Sequence, residues 1–247
     1  MVTCGVVLLL LVVHQVWWTN REARSGAAET VRSLVREWGE GEGVVPAQEV
    51  PEEGVPEEGA EPEESGEEVA GGGGESGSPP PRTRPVGKVP KPPVRPRWDQ
   101  AYAVLRIPAV GVVAPVAQGV GKRGVLDKGY VGHYPGTAQP GRAGNVALAG
   151  HRNTHGEPFR YINRLGKGDR VLVETRDAVY TYVVSGGVPQ TSARDVGVIA
   201  PVPRSAVHPG RGFGEPGHYL TLTTCTPEFT STYRLVIWAT LAGTAPK

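Results

Sequence analysis

Cysteine is scarce in this chain, with two among 247 residues. Cys4 sits in the apolar start and Cys225 near the far end, so a bond between them would join a lipid-facing segment to a water-facing domain. The pair is read as two free thiols, and neither belongs to a paired-cysteine metal motif. Charge of one sign is missing too: 26 Lys and Arg against 25 Asp and Glu leave a formal net charge of +1. That balance points to no nucleic-acid partner and no acidic substrate. There is no Gly-rich phosphate loop and no helical His-x-x-x-His pair. His151 and His155 stand four apart, but the intervening RNTHG reads as loop, so no metal site is assigned and no cofactor is expected. Residues 39–97 hold no aromatic side chain, and their valines are scattered among Glu, Gly and Pro, which excludes a core there.

What is present divides the chain into four parts. Val2 to Trp18 is apolar apart from Thr3, His14 and Gln15, about seventeen residues and the lower limit for a membrane span. Residues 1–19 are therefore predicted to be a retained transmembrane anchor, with Trp17 and Trp18 at the interface and no small-x-small cleavage site following. In residues 20–38, Val31, Leu34, Val35 and Trp38 recur at helical spacing and predict a juxtamembrane helix or, equally, an extension of the membrane helix. Residues 39–97 read as a disordered linker, with 14 carboxylates and no Lys or Arg from Glu37 to Glu75, then a Pro-rich basic stretch to Arg97. At about 5 to 6 Å times √n it reaches about 40 Å, which would hold the following domain well off the membrane. Everything before Trp98 is expected to contribute nothing to the core of that domain.

Residues 98–247 change texture. Short β-branched runs are broken by Gly and Pro: YAVLRIP, GVVAPV, NVALAG, DRVLVET, AVYTYVVSG, DVGVIAPV, YLTLTTC and YRLVIWATL. About eight strands at such spacing, with one short helix near Phe159 to Leu165, predict an all-β sandwich or barrel.

In TLTTCTPEF, alternation puts Tyr219, Thr221, Thr223 and Cys225 on one strand face and Leu220, Leu222 and Thr224 on the other. The loop TPEFTST leads into YRLVIWATL, so the two strands are expected to pair antiparallel, with Arg234 beside Cys225. A guanidinium next to a thiol favours thiolate and can hold the oxygen of an attacked carbonyl. The missing proton donor is offered by NVALAGHRN, where an apolar strand delivers His151 to its end. His133, His155, His208 and His218 have the same standing on composition, and Cys225 taken alone reads first as a packing residue.

The joint pattern of AGH, TLTTC and an Arg nine residues beyond the cysteine resembles the sortase family of cysteine transpeptidases. The likeness extends over roughly Tyr102 to Leu241, including RIPAVGVVAPV, GHYPGT and GNVALAGHRNTHGEPF. It implies a closed eight-stranded β-barrel with one or two short helices, and His151, Cys225 and Arg234 as catalytic residues. The segments GHYPGT and AGHRNTHGEPF look most like class E, the actinobacterial housekeeping type. The implied activity is cleavage of a Leu-Ala-x-Thr-Gly or Leu-Pro-x-Thr-Gly sorting signal between Thr and Gly, through a thioester, and transfer of the surface protein to a cell-wall precursor amine. Tyr134, Thr223 and Thr224 are the candidate substrate-binding residues. Tyr134 is singled out because alanine keeps a backbone N–H that proline lacks, and a placed hydroxyl can accept it. The implied location is the cell membrane, single-pass, with the catalytic domain outside. Arg21 and Arg24 after the apolar run argue for the opposite orientation on charge alone; the location of the chemistry overrides them.

Alternatives remain at this level. Thr226-Pro227 after the cysteine is similar to the class C pilin polymerases, although their Asp-Pro-aromatic lid is not visible here. A membrane-tethered β-barrel binding module with a packing Cys225 is the non-enzyme alternative. A papain-like enzyme would need Cys before His, and a chymotrypsin-like one a Gly-rich oxyanion loop where TPEF stands.

Overall fold

A computed structural model of the protein describes residues 2–40 and 96–247, with the side chains of residues 2–4, 8, 9 and 40 outside the description. Most of the expected linker, residues 41–95, and the side chain of Cys4 thus lie outside the described residues.

Eight strands close into a barrel: β1 (Ala101–Ile107), β2 (Val112–Gln118), β3 (Val131–His133), β4 (Gly144–Ala149), β5 (Arg170–Glu174), β6 (Ala178–Ser192), β7 (His218–Thr226) and β8 (Tyr233–Pro246). Their order around the wall is β1-β2-β3-β4-β7-β8-β6-β5. Two seams, β2 with β3 and β4 with β7, are parallel, and the other six are antiparallel. Closure leaves no unpaired sheet edge to be managed. The interior is filled by small and branched side chains, among them Leu105, Val116, Leu148, Val173, Leu220 and Leu222.

The β-branched run DVGVIAPV, expected as a strand, is instead a loop with a 3-10 turn at Val196–Ile199. It is recruited as a cover for the outside of the barrel. Val198 packs with Val188, Val236 and Trp238 in a second cluster, and its carbonyl accepts from Thr221 Oγ1 and Trp238 Nε1 at 3.2 and 3.1 Å. A buried polar group needs a partner, and these side chains supply the ladder bonds that this segment does not make. The cover explains why β4 and most of β7 are buried on both faces. The eighth strand is the short β3, three residues long and without a local pattern of its own. The short helix expected near Phe159 to Leu165 is a 3-10 turn at Ile162–Arg164, one of four such turns among the described residues.

The N-terminal segment is one continuous helix, α1 (Val2–Glu40). Ala23, Ala27, Val31, Leu34 and Trp38 are buried, and Val31, Leu34 and Trp38 cluster with Val104 of β1. The helical spacing was legible, but Val35 is exposed and the partner is the barrel wall. Residues before Trp98 therefore do contribute to the core, a correction with a simple cause: the outward side of β1 carries Val104, which a helix must cover to remove it from water. Among the described residues no helix is long and apolar enough to cross a membrane.

Candidate active site

Cys225 and Arg234 face each other directly across the antiparallel β7–β8 ladder. Leu220 and Leu222 belong to the barrel interior and Val236 and Trp238 to the outer cluster, so alternation places Cys225 and Arg234 together on the outer face. Cys225 is a free, half-buried thiol just where the cover ends.

His151 arrives from the other side. β4 runs parallel to β7 with Ala149 opposite Thr223, and the pairing continues past the strand end, where Gly150 N donates to Thr223 O at 3.2 Å. Thr224 Oγ1 donates to Gly150 O at 2.8 Å. Two residues further along this shared direction, His151 and Cys225 emerge side by side at one rim of the barrel. Gly150 is required there: a Cβ would lie 2.7 Å from the ring of Phe159, which is fully buried and held by its N–H to His151 O at 3.0 Å.

The side chains then make contacts that sequence patterns did not anticipate. His151 Nε2 pairs with Asp127 Oδ1 at 2.8 Å. A ring N–H must donate to the carboxylate, so the neutral imidazole keeps its lone pair on Nδ1. Arg234 Nη1 donates to the carbonyls of Ser231 and Tyr233 at 2.8 and 2.9 Å. Among the described residues neither His151 nor Arg234 is hydrogen-bonded to the thiol. Register brings the three predicted catalytic residues to one rim, where the His151 side chain is held by Asp127 and that of Arg234 by two backbone carbonyls.

Thr223 and Thr224 are buried and spend their hydroxyls internally. Thr223 Oγ1 reaches Leu148 O at 3.3 Å and Tyr134 Oη at 3.2 Å. Because Thr223 donates to the carbonyl, Tyr134 must donate to Thr223, and the lone pairs of the tyrosine oxygen stay free. Of the other histidines, His133 is fully buried between Tyr102, Thr137 and Ala138 O; His208 and His218 bond to Gln190 O and Gly141 O.

Three residues were missed. Asp127, in the short turn Leu126–Lys128, holds His151. Buried Arg152 donates from Nη1 to Thr226 Oγ1 at 2.9 Å and Cys225 O at 3.3 Å, bracing the backbone of the cysteine. Buried Glu157 accepts from Asn20, Arg24 and Arg160 at 3.0, 2.6 and 2.7 Å, tying the loop after His151 to α1. No local pattern signals any of them, since every partner but Arg160 is remote in sequence.

Fold and site together define a closed β-barrel protein with a cysteine and a histidine side by side on one outer rim. Comparison with known proteins narrows that class: the sortase domain model matches residues 105–242, and the chain belongs to the sortase family. It is 38% identical over 251 residues to sortase SrtE1 of Streptomyces coelicolor, covering 100% of this chain but 56% of that protein. The chain thus spans little more than half the length of that relative. Against sortase SrtE2 of the same organism it is 27% identical, covering 99% of this chain and 80% of that protein. Among solved structures, sortase E1 from Streptomyces coelicolor with a tripeptide in its active site is 50% identical, with TM-score 0.57, covering 60% of this chain and 91% of that one. Sortase E from Streptomyces avermitilis is 39% identical, with TM-score 0.54, covering 61% and 93%.

Proposed function

We propose that the chain is a class E-type cysteine transpeptidase that cuts a sorting signal between Thr and Gly and transfers the acyl part to a cell-wall amine. Cys225 Sγ attacks the Thr carbonyl carbon, and the oxyanion is held by the Nε and Nη2 hydrogens of Arg234, which have no partner among the described residues. One such donor is worth about 3 to 4 kcal/mol of transition-state stabilisation. As Sγ attacks, the thiol proton passes to the free Nδ1 of His151, and the imidazolium gives it to the departing Gly nitrogen, leaving a thioester; an incoming amine then attacks, loses its proton to His151, and that proton returns to the departing sulfur to restore the thiol. The observation that carries this reading is the meeting of β4 and β8 on either side of β7, which puts a histidine and an arginine beside the same cysteine.

Tyr134 is the candidate reader of the second signal position. Its free lone pairs would accept the backbone N–H that alanine offers and proline lacks. Membrane anchoring through α1 is supported by the exposed side chains of Val6, Val7, Leu10, Leu11, Val12, Val13 and Val16, followed by Trp17 and Trp18. With the second half of α1 docked on β1 and β2, the barrel would ride close to the bilayer and face the wall outside the cell. The test is incubation of the full chain with Leu-Ala-x-Thr-Gly peptide and an amine, read by mass for thioester and exchanged product. Cys225→Ala is expected to abolish both; transpeptidation above background in that variant would overturn the proposal.

A further inference from the structure

We propose that Asp127, His151 and His155 form a binding site for a zinc-class divalent cation, and that the bound ion silences the enzyme by holding the His151 imidazole. The inhibitory half rests on His151 being the proton carrier; the binding half rests on geometry alone. One donor atom from each of the three residues lies within 4.8 Å of the other two. His151 Nε2 and His155 Nδ1 stand 2.8 and 3.8 Å from the same carboxylate oxygen, Asp127 Oδ1. Tetrahedral zinc with ligands at about 2.0 to 2.2 Å needs donors about 3.4 Å apart, within side-chain adjustment of these spacings.

Two observations point to a ligand beyond the mere proximity of the three residues. His155 Nδ1 is buried and has no hydrogen-bond partner, although it is aimed at the shared oxygen. An orphaned buried nitrogen is costly unless something fills its need. Second, among the described residues Asp127 has no Lys or Arg in an ion pair. Lys128 turns to the Tyr130 ring, 5.9 Å from its centroid, and Arg152 to Thr226 and Glu228. The carboxylate is therefore available to balance a cation.

The site is also built in advance. His155 adopts φ +50, a left-handed conformation uncommon for a non-glycine residue, and Glu157 adopts φ +53. Such geometry persists only where neighbours over-determine it. Here α1 does so: Asn20 Oδ1 accepts from Gly156 N, and Arg24 Nε donates to Gly156 O, both at 3.2 Å. One carboxylate and two imidazoles suit zinc and its copper and nickel neighbours, whereas calcium and magnesium prefer all-oxygen sites. On binding, the proton between His151 and Asp127 leaves to solvent, and the metal takes the Nε2 lone pair.

The test uses the full chain in mild detergent. In a Cys4→Ser, Cys225→Ala background, where no thiol competes, calorimetry with zinc is expected to show one equivalent bound. His155→Gln in that background is expected to weaken binding at least tenfold, and calcium and magnesium to give no binding heat. In the native chain, zinc is expected to suppress peptide transfer and a chelator to restore it. In His155→Gln, referred to its own zinc-free rate, half-inhibition is expected to need at least ten times more zinc. Absence of binding in the thiol-free background, or binding that His155→Gln leaves unchanged, would overturn the site. Stoichiometric binding without inhibition would overturn the inhibitory role. A native chain inactive on every peptide without zinc would count against the transpeptidase reading, while calorimetry would still decide the metal site.

Discussion

Acidification from pH 7.5 to about 5 should destabilise this barrel through His133. Its ring is fully buried, with Nε2 at 3.0 Å from Ala138 O and Nδ1 at 2.8 Å from Tyr102 Oη. Desolvation disfavours the imidazolium and lowers the pKa from 6.5 to about 4, against a smaller opposing effect of the Ala138 carbonyl. Between those values the unfolded chain binds a proton that the folded chain refuses, so this contribution is fully present above pH 6.5 and lost as pH falls toward 4. The difference is worth about 3 kcal/mol at its limit, and about 2 kcal/mol between pH 7.5 and 5. Urea unfolding followed by tryptophan fluorescence at the two pH values measures it, with His133→Gln as the reference. The variant will be less stable at pH 7.5, but it should lose about 2 kcal/mol less on acidification than the native chain. Equal losses in both proteins, or an imidazole resonance of His133 titrating near its ordinary value in the folded state, would refute the reasoning.

Other perturbations test other links. Gly150→Ala should force the turn away from Phe159 and shift His151, lowering the transfer rate at least tenfold with only a modest loss of stability; an unchanged rate would show that this close packing does not place the histidine. Leu34→Ala should cost about 2 kcal/mol and expose α1 to limited proteolysis, and a urea midpoint within error of the native value would mean that the helix does not stay docked. Tyr134→Phe should reduce activity on a Leu-Ala-x-Thr-Gly peptide while hardly changing that on Leu-Pro-x-Thr-Gly, and equal effects on both would remove Tyr134 from signal reading.

Some of this was legible residue by residue. The β7–β8 pairing could be read because the two runs are joined by a short loop, and a hairpin leaves little freedom in which residue meets Cys225. Val31, Leu34 and Trp38 could be read as one helical face because burial on a helix has a period. The reading failed where short range gives no signal. Val196 to Val202 has strand-like composition, yet its backbone is satisfied by side chains of β7 and β8. β3 is too short to show alternation. Asp127, Arg152 and Glu157 acquire their roles from His151, Thr226 and the N-terminal helix, none of which their own neighbourhoods foreshadow.

Composition and periodicity were sufficient to set the N-terminal helix apart from the β-rich domain, and for the residue types able to carry acyl-transfer chemistry. These are local properties, set by how much apolar surface a segment can bury and at what spacing. Which histidine stands beside the cysteine, which carboxylate holds it, and what covers Val104 depended on the closed barrel. Its parallel β4–β7 seam joins strands far apart in the chain, and a slip of one residue there would turn every side chain to the opposite face. Only the packing of the whole barrel selects that register, because only then are both faces of β4 and β7 buried together.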